Sequence, residues 1–250
     1  MIESIDRALA ILQLFLTQEE PLSVTWISKT MGLQKSTVSR TLETLEGRGF
    51  VNKDKETGKY WLGLQVYALG MLFREKEPLQ KAAYPYAKAL SMQCQEGVHI
   101  TTFAPMESPY PQHVILEKIK SPQNIDAAPP VGAVRPSYCA ASGKCLLAFS
   151  DTYRGTYQGC PLKKLTEYTV TDWDELNREL LSIRNQGYAV EREEANLGMT
   201  CIAAPVFGHD GNICAAISVS VAVSRITEDR ETFIIKAVKK AAADITQAIL

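Results

Sequence analysis

This chain has little of what marks metal, redox or membrane chemistry. Its 250 residues include six cysteines and three histidines. The cysteines (Cys94, Cys139, Cys145, Cys160, Cys201 and Cys214) form no C-x-x-C pair, so neither a zinc ribbon nor a dithiol redox motif is spelled out. A disulfide framework is not expected in a chain long enough to bury a real core. His99, His113 and His209 stand far apart in sequence, and no metal or cofactor is expected. No apolar run approaches the roughly 20 residues of a membrane-spanning helix. The start, Met1-Ile2-Glu3-Ser4-Ile5-Asp6, is acidic and lacks the basic segment of a secretory signal. The expectation is a cytoplasmic protein with no membrane partner. Net charge is −1, so no global basic field draws the chain onto nucleic acid. Any such affinity must come from a local patch.

Catalytic signatures are equally scarce. There is no Gly-x-Ser-x-Gly elbow. Gly143-Lys144 invites a phosphate-loop reading, but that pattern needs glycine where Tyr138 stands and Ser or Thr where Cys145 stands. A thiol nucleophile needs an activating cation nearby. Cys139 with His99 or His113 is conceivable, yet nothing in the spacing selects it, and buried thiols are more often structural. The expectation is a protein that is not an enzyme, with a cysteine-based activity as the alternative.

What is present concentrates in residues 23–62. Residues 23–33 read as a short helix, with Ser23 suited to accept from an orphan amide at its start and Gly32 to close it. A second helix over 34–48 places Val38, Leu42 and Leu45 inward at spacings of four and three. Two helices about a tight glycine-containing turn form a helix-turn-helix. Residues 50–54 and 59–62 then read as two strands around the turn Lys55-Glu56-Thr57-Gly58, completing a winged helix. Gln34, Lys35, Ser36, Thr37, Ser39 and Arg40 cluster at the start of the second helix, where a recognition helix meets base edges. Lys53, Lys55 and Lys59 put positive charge on the hairpin, suited to phosphates. A solvated helix face would explain any one of these residues; the ordered series points to double-stranded DNA.

The length fits two domains, and 46% hydrophobic residues suffice for a core in each. Ile5, Ala8, Leu9, Leu12, Phe15 and Leu16 form one stripe of a first helix, expected to be core. Residues 64–77 read as a linker helix whose apolar side is expected to pair with a second subunit. Pro78 suits the first turn of a helix running to about Cys94. Beyond it, strands over 98–103, 114–119, 188–192, 201–207 and 213–221 alternate with helices over 143–150, 173–186 and 228–250. His209-Asp210-Gly211-Asn212 is the turn of the last hairpin. This mixture predicts an antiparallel sheet flanked by helices.

Several stretches follow one another along the chain: Ser4-Ile5-Asp6-Arg7-Ala8-Leu9-Ala10-Ile11-Leu12, Gly32-Leu33-Gln34-Lys35-Ser36-Thr37-Val38-Ser39-Arg40, Thr57-Gly58-Lys59-Tyr60-Trp61-Leu62-Gly63, Ala141-Ser142-Gly143-Lys144, Gly187-Tyr188-Ala189, Glu193-Glu194, Cys201-Ile202-Ala203-Ala204-Pro205-Val206 and Ala215-Ala216-Ile217-Ser218-Val219-Ser220. Through this series the whole chain resembles the IclR family of bacterial transcriptional regulators. The resemblance implies an α+β protein: a winged helix-turn-helix over 1–63, a linker helix over 64–77, and a GAF-like effector-binding and oligomerisation domain over 78–250. It also implies homodimers, able to pair into tetramers, acting on a pseudo-palindromic operator beside catabolic or transport genes. A repressor is expected; an activator is the alternative.

The effector site can be approached from the residues. Ser142-Gly143-Lys144 opens a helix, so its amides are expected to be unpaired and suited to a small carboxylate. Ser218 and Ser220, two apart on a strand, face the same side, and Cys201 on the neighbouring strand could face them. Two such serines could equally line a solvated sheet face. The resemblance implies the pocket reading, with Ala141, Ser142, Glu191, Cys201, Ser218 and Ser220 at effector positions. The family commonly has aspartate where Glu191 stands and a His-Ala-Thr type run where Tyr138-Cys139-Ala140 stands. Its loop corresponding to 105–111, here with Met106 and Tyr110, is usually shorter and less apolar. A small carboxylate or aromatic metabolite is the expected ligand.

Overall fold

The computed structural model describes residues 2–16, 18, 20–104, 108–123 and 129–249. Pro105 and Met106 of the apolar loop, Met1, and Leu250 at the end of the last expected helix lie outside them. The chain divides into two compact units, Met1–Glu77 and Pro78–Leu250.

In the first unit α1 (Glu3–Leu14), α2 (Val24–Met31) and α3 (Lys35–Gly47) precede β1 (Val51–Lys53), β2 (Tyr60–Leu62) and α4 (Leu64–Lys76). Ser23 caps α2 by accepting from the Trp26 amide at 3.1 Å. Gly32 ends the helix at φ 66°, a left-handed conformation costly for residues with a Cβ. Val38, Leu42 and Leu45 bury one face of α3 against Ile11, Phe15, Ile27, Val51 and Tyr60. Leu22 and Tyr60 exchange backbone hydrogen bonds at 2.8 Å, stitching the hairpin to the segment before α2. The stripe expected along the first helix needs correction. Ile5 (54% exposed), Leu9 (54%) and Leu16 (61%) are not core; Ile11 and Phe15 are, with Ala8 and Leu12 half-buried beside them. The segment carries two apolar stripes, and the small helical core accepts only the one centred on Ile11. All of α4 is free of buried residues, and Leu64, Tyr67, Leu69, Met71, Leu72 and Phe73 are exposed.

The second unit runs α5 (Pro78–Cys94), β3 (Gly97–Phe103), β4 (Gln112–Ile119), β5 (Val134–Pro136), α6 (Ala141–Phe149), α7 (Asp151–Tyr157), α8 (Trp173–Gln186), β6 (Ala189–Arg192), β7 (Met199–Phe207), β8 (Ile213–Ala222) and α9 (Glu228–Ile249). The strands form one sheet in the order β5-β4-β3-β8-β7-β6, with every neighbour antiparallel. Asp172 caps α8 by accepting from the Glu175 amide at 2.9 Å, and Gly187 ends it, as expected. Two elements went unforeseen. At three residues including Pro136, β5 is too short to show a period. The polar α7 depends on Ser150, whose Oγ accepts from the Tyr153 amide.

Alternation gives the sheet two faces. One carries Val98, Ile100, Ile202, Ala204, Val206, Ile217 and Val219 and buries them with apolar residues of α5 and α9. The other carries His99, Thr101, Glu191, Cys201, Ala203, Ser218 and Ser220. A bulge in β4 sets Ile115 opposite Thr101 but Glu117 opposite Ile100. Glu117 thereby joins the helical face, where Gln80 of α5 donates to its Oε2 at 2.8 Å.

α6 lies over the polar-bearing face with α8, sharing a core of Leu146, Leu147, Leu176, Leu180 and Ile183. Two residues fix its position. Gly143 touches the chain at Ser137: a Cβ there would sit 2.4 Å from the Ser137 Cα and carbonyl oxygen. Lys144 is fully buried, and its Nζ donates to both oxygens of Glu179 (2.8 and 2.7 Å) and to Glu194. Removing the ammonium strands the buried carboxylate of Glu194 and the half-buried one of Glu179, a loss of about 3–5 kcal/mol. Lys144→Ala is therefore expected to lower the urea-unfolding midpoint of the full chain sharply; an unchanged midpoint would contradict this account of the ion cluster.

Candidate ligand cavity and nucleic-acid interface

Between that face of the sheet and the first turn of α6 lies a cavity of about 560 Å³. All six residues that the family resemblance implied for the effector line it: Ala141 and Ser142 on α6, Glu191 on β6, Cys201 on β7, and Ser218 and Ser220 on β8. Register explains the convergence. Glu191 lies opposite Cys201, and Cys201 opposite Ser220, so the three form a row across neighbouring strands. Cys201 Sγ and Ser220 Oγ are 3.3 Å apart. Ser218 is flanked by Ala203 and His99 in the next row.

The helix start differs from expectation in detail. α6 begins at Ala141, and the Lys144 amide already donates to the Ala140 carbonyl at 2.8 Å. The amides lacking an intrahelical acceptor are thus those of Ala141, Ser142 and Gly143. The side chain of Lys144 turns away into its ion cluster. Glu191 is buried, and its Oε1 accepts from the amides of Glu194 (2.6 Å) and Ala195 (3.1 Å). Burial outweighs those bonds and pushes its carboxyl up to about 7.

Residues not singled out as ligand contacts also line the cavity, among them His99, Thr101, Tyr110, His113 and Tyr138. The period-two pattern of β3 and β4 carries the signal, since it sets His99 and Thr101 on one side and His113 and Ile115 on the strand alongside. Tyr138 is spoken for: its hydroxyl donates to the Lys163 carbonyl (2.7 Å) and accepts from the Lys163 amide (3.1 Å).

In the first unit the predicted DNA-facing residues gather on two elements. Gln34, Lys35, Ser36 and Arg40 are exposed at the start of α3, with Thr37 and Ser39 half-buried. Ser39 Oγ donates to Glu43 at 3.0 Å. On the hairpin Lys53 and Lys55 are exposed and Lys59 half-buried. Asp54 orders the turn by accepting from the amides of Glu56 (2.9 Å) and Thr57 (2.7 Å) and from the Thr57 hydroxyl (3.0 Å). The bonds from Thr57 hold its carboxyl below the usual range.

Comparison with known proteins gives this geometry its context. The family described as "Bacterial transcriptional regulator IclR C-terminal" matches residues 73–247, and the "IclR helix-turn-helix domain" matches residues 4–55. The chain belongs to the IclR family. Curated relatives include the HTH-type transcriptional regulator XynR of Escherichia coli K12, 32% identical over 91% of this chain and 89% of that protein. The HTH-type transcriptional repressor AllR of the same organism is 28% identical over 99% of this chain and 90% of its own. Among solved structures, an IclR transcriptional regulator from Alicyclobacillus acidocaldarius superposes with a TM-score of 0.88 at 25% identity, covering 100% of both chains. An IclR homolog from Microbacterium hydrocarbonoxydans, complexed with 4-hydroxybenzoate, has a TM-score of 0.83 at 21% identity over 98% of each chain and shares the fold.

As an IclR-family member the protein is a DNA-binding transcriptional regulator and not an enzyme. The thiol alternative finds no support in the chemistry of Cys139. Burial, reinforced by the carboxylates of Glu194 and Glu191, pushes that thiol up to about 12, opposite to what a thiolate nucleophile needs. Among the described residues no helix is long and apolar enough to cross a membrane, and no cluster of potential metal ligands occurs.

The Glu191 carboxyl binds its proton more tightly in the folded chain than its ordinary value of 4.5. Its protonated form therefore favours folding. That contribution is whole below about pH 4.5 and is lost as the pH rises through about 7. Without ligand, Glu191→Gln is expected to be more stable than wild type at pH 8, by up to about 3 kcal/mol. The gap should close toward pH 4.5 in thermal melts at several pH values; a gap independent of pH would contradict the burial account.

Proposed function

We infer that this regulator is a cytoplasmic repressor whose operator affinity is set by a small carboxylate bound in the cavity of the second unit. The observation that carries the reading is the meeting, in one cavity, of the α6 start with Glu191, Cys201, Ser218 and Ser220. Open amides at a helix start favour an anion, and the two serines supply hydroxyls to orient it. The 4-hydroxybenzoate held by the Microbacterium homolog is a carboxylate of suitable size. Repression is supported by the likeness to AllR.

In this reading residues 1–63 bind DNA, 64–77 link, and 78–250 sense the ligand and oligomerise. Gln34, Lys35, Ser36, Thr37, Ser39 and Arg40 enter the major groove, while Lys53, Lys55 and Lys59 meet phosphates. Support comes from the exposure of most of these side chains on α3 and the ordered hairpin. The exposed apolar side chains of α4, with Ile5 and Leu9 of α1, would be costly on a monomer. They are read as the surface that pairs two subunits, and such dimers can pair again into tetramers. A two-fold dimer fits a pseudo-palindromic operator with half-sites roughly 34 Å, or a multiple, apart. Ligand binding changes the separation of the two α3 helices through the linker, at a coupling of about 1–3 kcal/mol.

Selection of genomic fragments by the purified protein, at stated salt and with sequencing against input, tests the regulator reading directly. A pseudo-palindromic site beside a catabolic or transport operon is expected; no enrichment, with or without metabolite extract, would remove the operator claim. Arg40→Ala is expected to weaken operator binding by about 1–3 kcal/mol and to relax preference at one base position. Equal affinity of both proteins for the operator would take Arg40 out of base reading. The pair Ser218→Ala with Ser220→Ala is expected to abolish the ligand response and leave DNA binding intact, as read by gel shift with and without ligand. A normal response from that protein would overturn the cavity assignment.

A further inference from the structure

One end of the cavity carries a chain of hydrogen bonds that fixes what His113 can offer. Tyr153 of α7 donates its hydroxyl hydrogen to the Gln112 carbonyl, which can only accept. Ser137 Oγ stands 3.1 Å from the Tyr153 hydroxyl oxygen. With the tyrosine hydrogen already committed, Ser137 is the donor of that contact. Ser137 then has no second hydrogen, so its 3.4 Å contact with His113 Nδ1 requires an Nδ1–H that donates to Oγ. The imidazole is neutral, because burial pushes it down to about 3. A neutral ring with hydrogen on Nδ1 has a bare lone pair on Nε2.

The chain is rigid. Ser137 is fully buried, with its Cα against Gly143 and its amide donating to the Pro111 carbonyl at 2.8 Å. The Tyr153 ring packs edge-on against Phe103 (4.7 Å) and Tyr157 (5.4 Å), and burial pushes its hydroxyl up to about 12, so it keeps its hydrogen. His113 lines the cavity, whereas Tyr153 is not among the lining residues.

We propose that His113 forms a second ligand subsite, a hydrogen-bond acceptor oriented by Ser137 and Tyr153, which makes the cavity selective for hydroxycarboxylic acids over their deoxy counterparts. The proposal rests on the reading of the α6 start as the carboxylate site. Tyr153 is a positioning residue: in Tyr153→Phe the ring contacts persist, but Ser137 is released to donate to His113 Nδ1, and Nε2 becomes a donor.

Two measurements on the full chain test this. Nitrogen-15 NMR of labelled histidine, with His113→Gln for assignment, should show His113 neutral with its hydrogen on Nδ1 throughout pH 5–8. A hydrogen on Nε2 in the wild type would overturn the proposal. Calorimetry with glycolate and acetate, lactate and propionate, and 4-hydroxybenzoate and benzoate should find a hydroxy acid bound about tenfold or more tighter than its partner. In Tyr153→Phe the nitrogen-15 spectrum should show the His113 hydrogen moved from Nδ1 to Nε2, with affinity for the deoxy acid kept. If acids bind without preference for the hydroxyl, the His113 subsite alone falls. If the hydrogen stays on Nδ1 in Tyr153→Phe, orientation through the tyrosine falls. If no acid of the series binds, the carboxylate reading fails and takes the subsite with it.

Discussion

The second unit depends on how α6 is held. Gly143 lets the helix approach Ser137 more closely than any side chain would permit, and Lys144 pulls the same turn toward α8 and the β6–β7 connection through Glu179 and Glu194. The ammonium has no water to fall back on, so its carboxylate contacts are obligatory rather than incidental. Glu194 is tied into the surroundings as well, since its carbonyl accepts from Thr166 and Thr169 and its amide donates to Glu191. One buried charge thus fixes the distance between the helix start and the Glu191 end of the sheet. Cavity width follows from that distance.

The sheet supplies the floor because its alternation is lopsided. Residues facing α5 and α9 are apolar but for Glu117, which Gln80 partners, whereas those facing α6 include a carboxylate, serines, a threonine and an imidazole. Burying so many polar atoms beneath a helix is unfavourable unless each finds a partner. Within the row Glu191 accepts from two amides and Cys201 contacts Ser220, but a cavity remains where close packing would otherwise leave none.

Much of this was legible in the sequence, for identifiable reasons. The winged helix carries local signals with local causes: Ser23 and Gly32 bracket α2, and Val38, Leu42 and Leu45 bury one face of α3. The same holds for α8, between Asp172 and Gly187. Ser218 and Ser220 could be assigned a common side from period two alone. What could not be read depends on contacts distant in sequence. The Ser-Gly-Lys of α6 resembles part of a phosphate loop, but its glycine serves a backbone 6 residues back (Ser137 to Gly143) and its lysine serves carboxylates 35 and 50 residues on. The outward stripe of α1 could not be told from the inward one, because an apolar period does not say which face the neighbouring helices choose. The orientation of His113 needs Gln112, Ser137 and Tyr153 together, from a strand, a loop and a short helix whose own sequence barely announces it.

The ion cluster also bears on how the cavity can treat an anion. Lys144 follows directly on the open amides of α6, and a free ammonium there would make the site a general trap for negative charge. Glu179 and Glu194 consume that charge, and the lysine and arginine that do line the cavity, Lys163 and Arg135, are exposed, so water and salt screen them. What acts inside, beside the Glu191 carboxyl, is a set of oriented dipoles: amides at the helix start, hydroxyls on β8, and an imidazole whose hydrogen is pinned. Dipoles attract less strongly than an ion but discriminate by geometry, because a donor presented to an acceptor is rewarded and a mismatch leaves a buried group unsatisfied. For the proposed response to one small acid among many, that balance serves better than a buried cation.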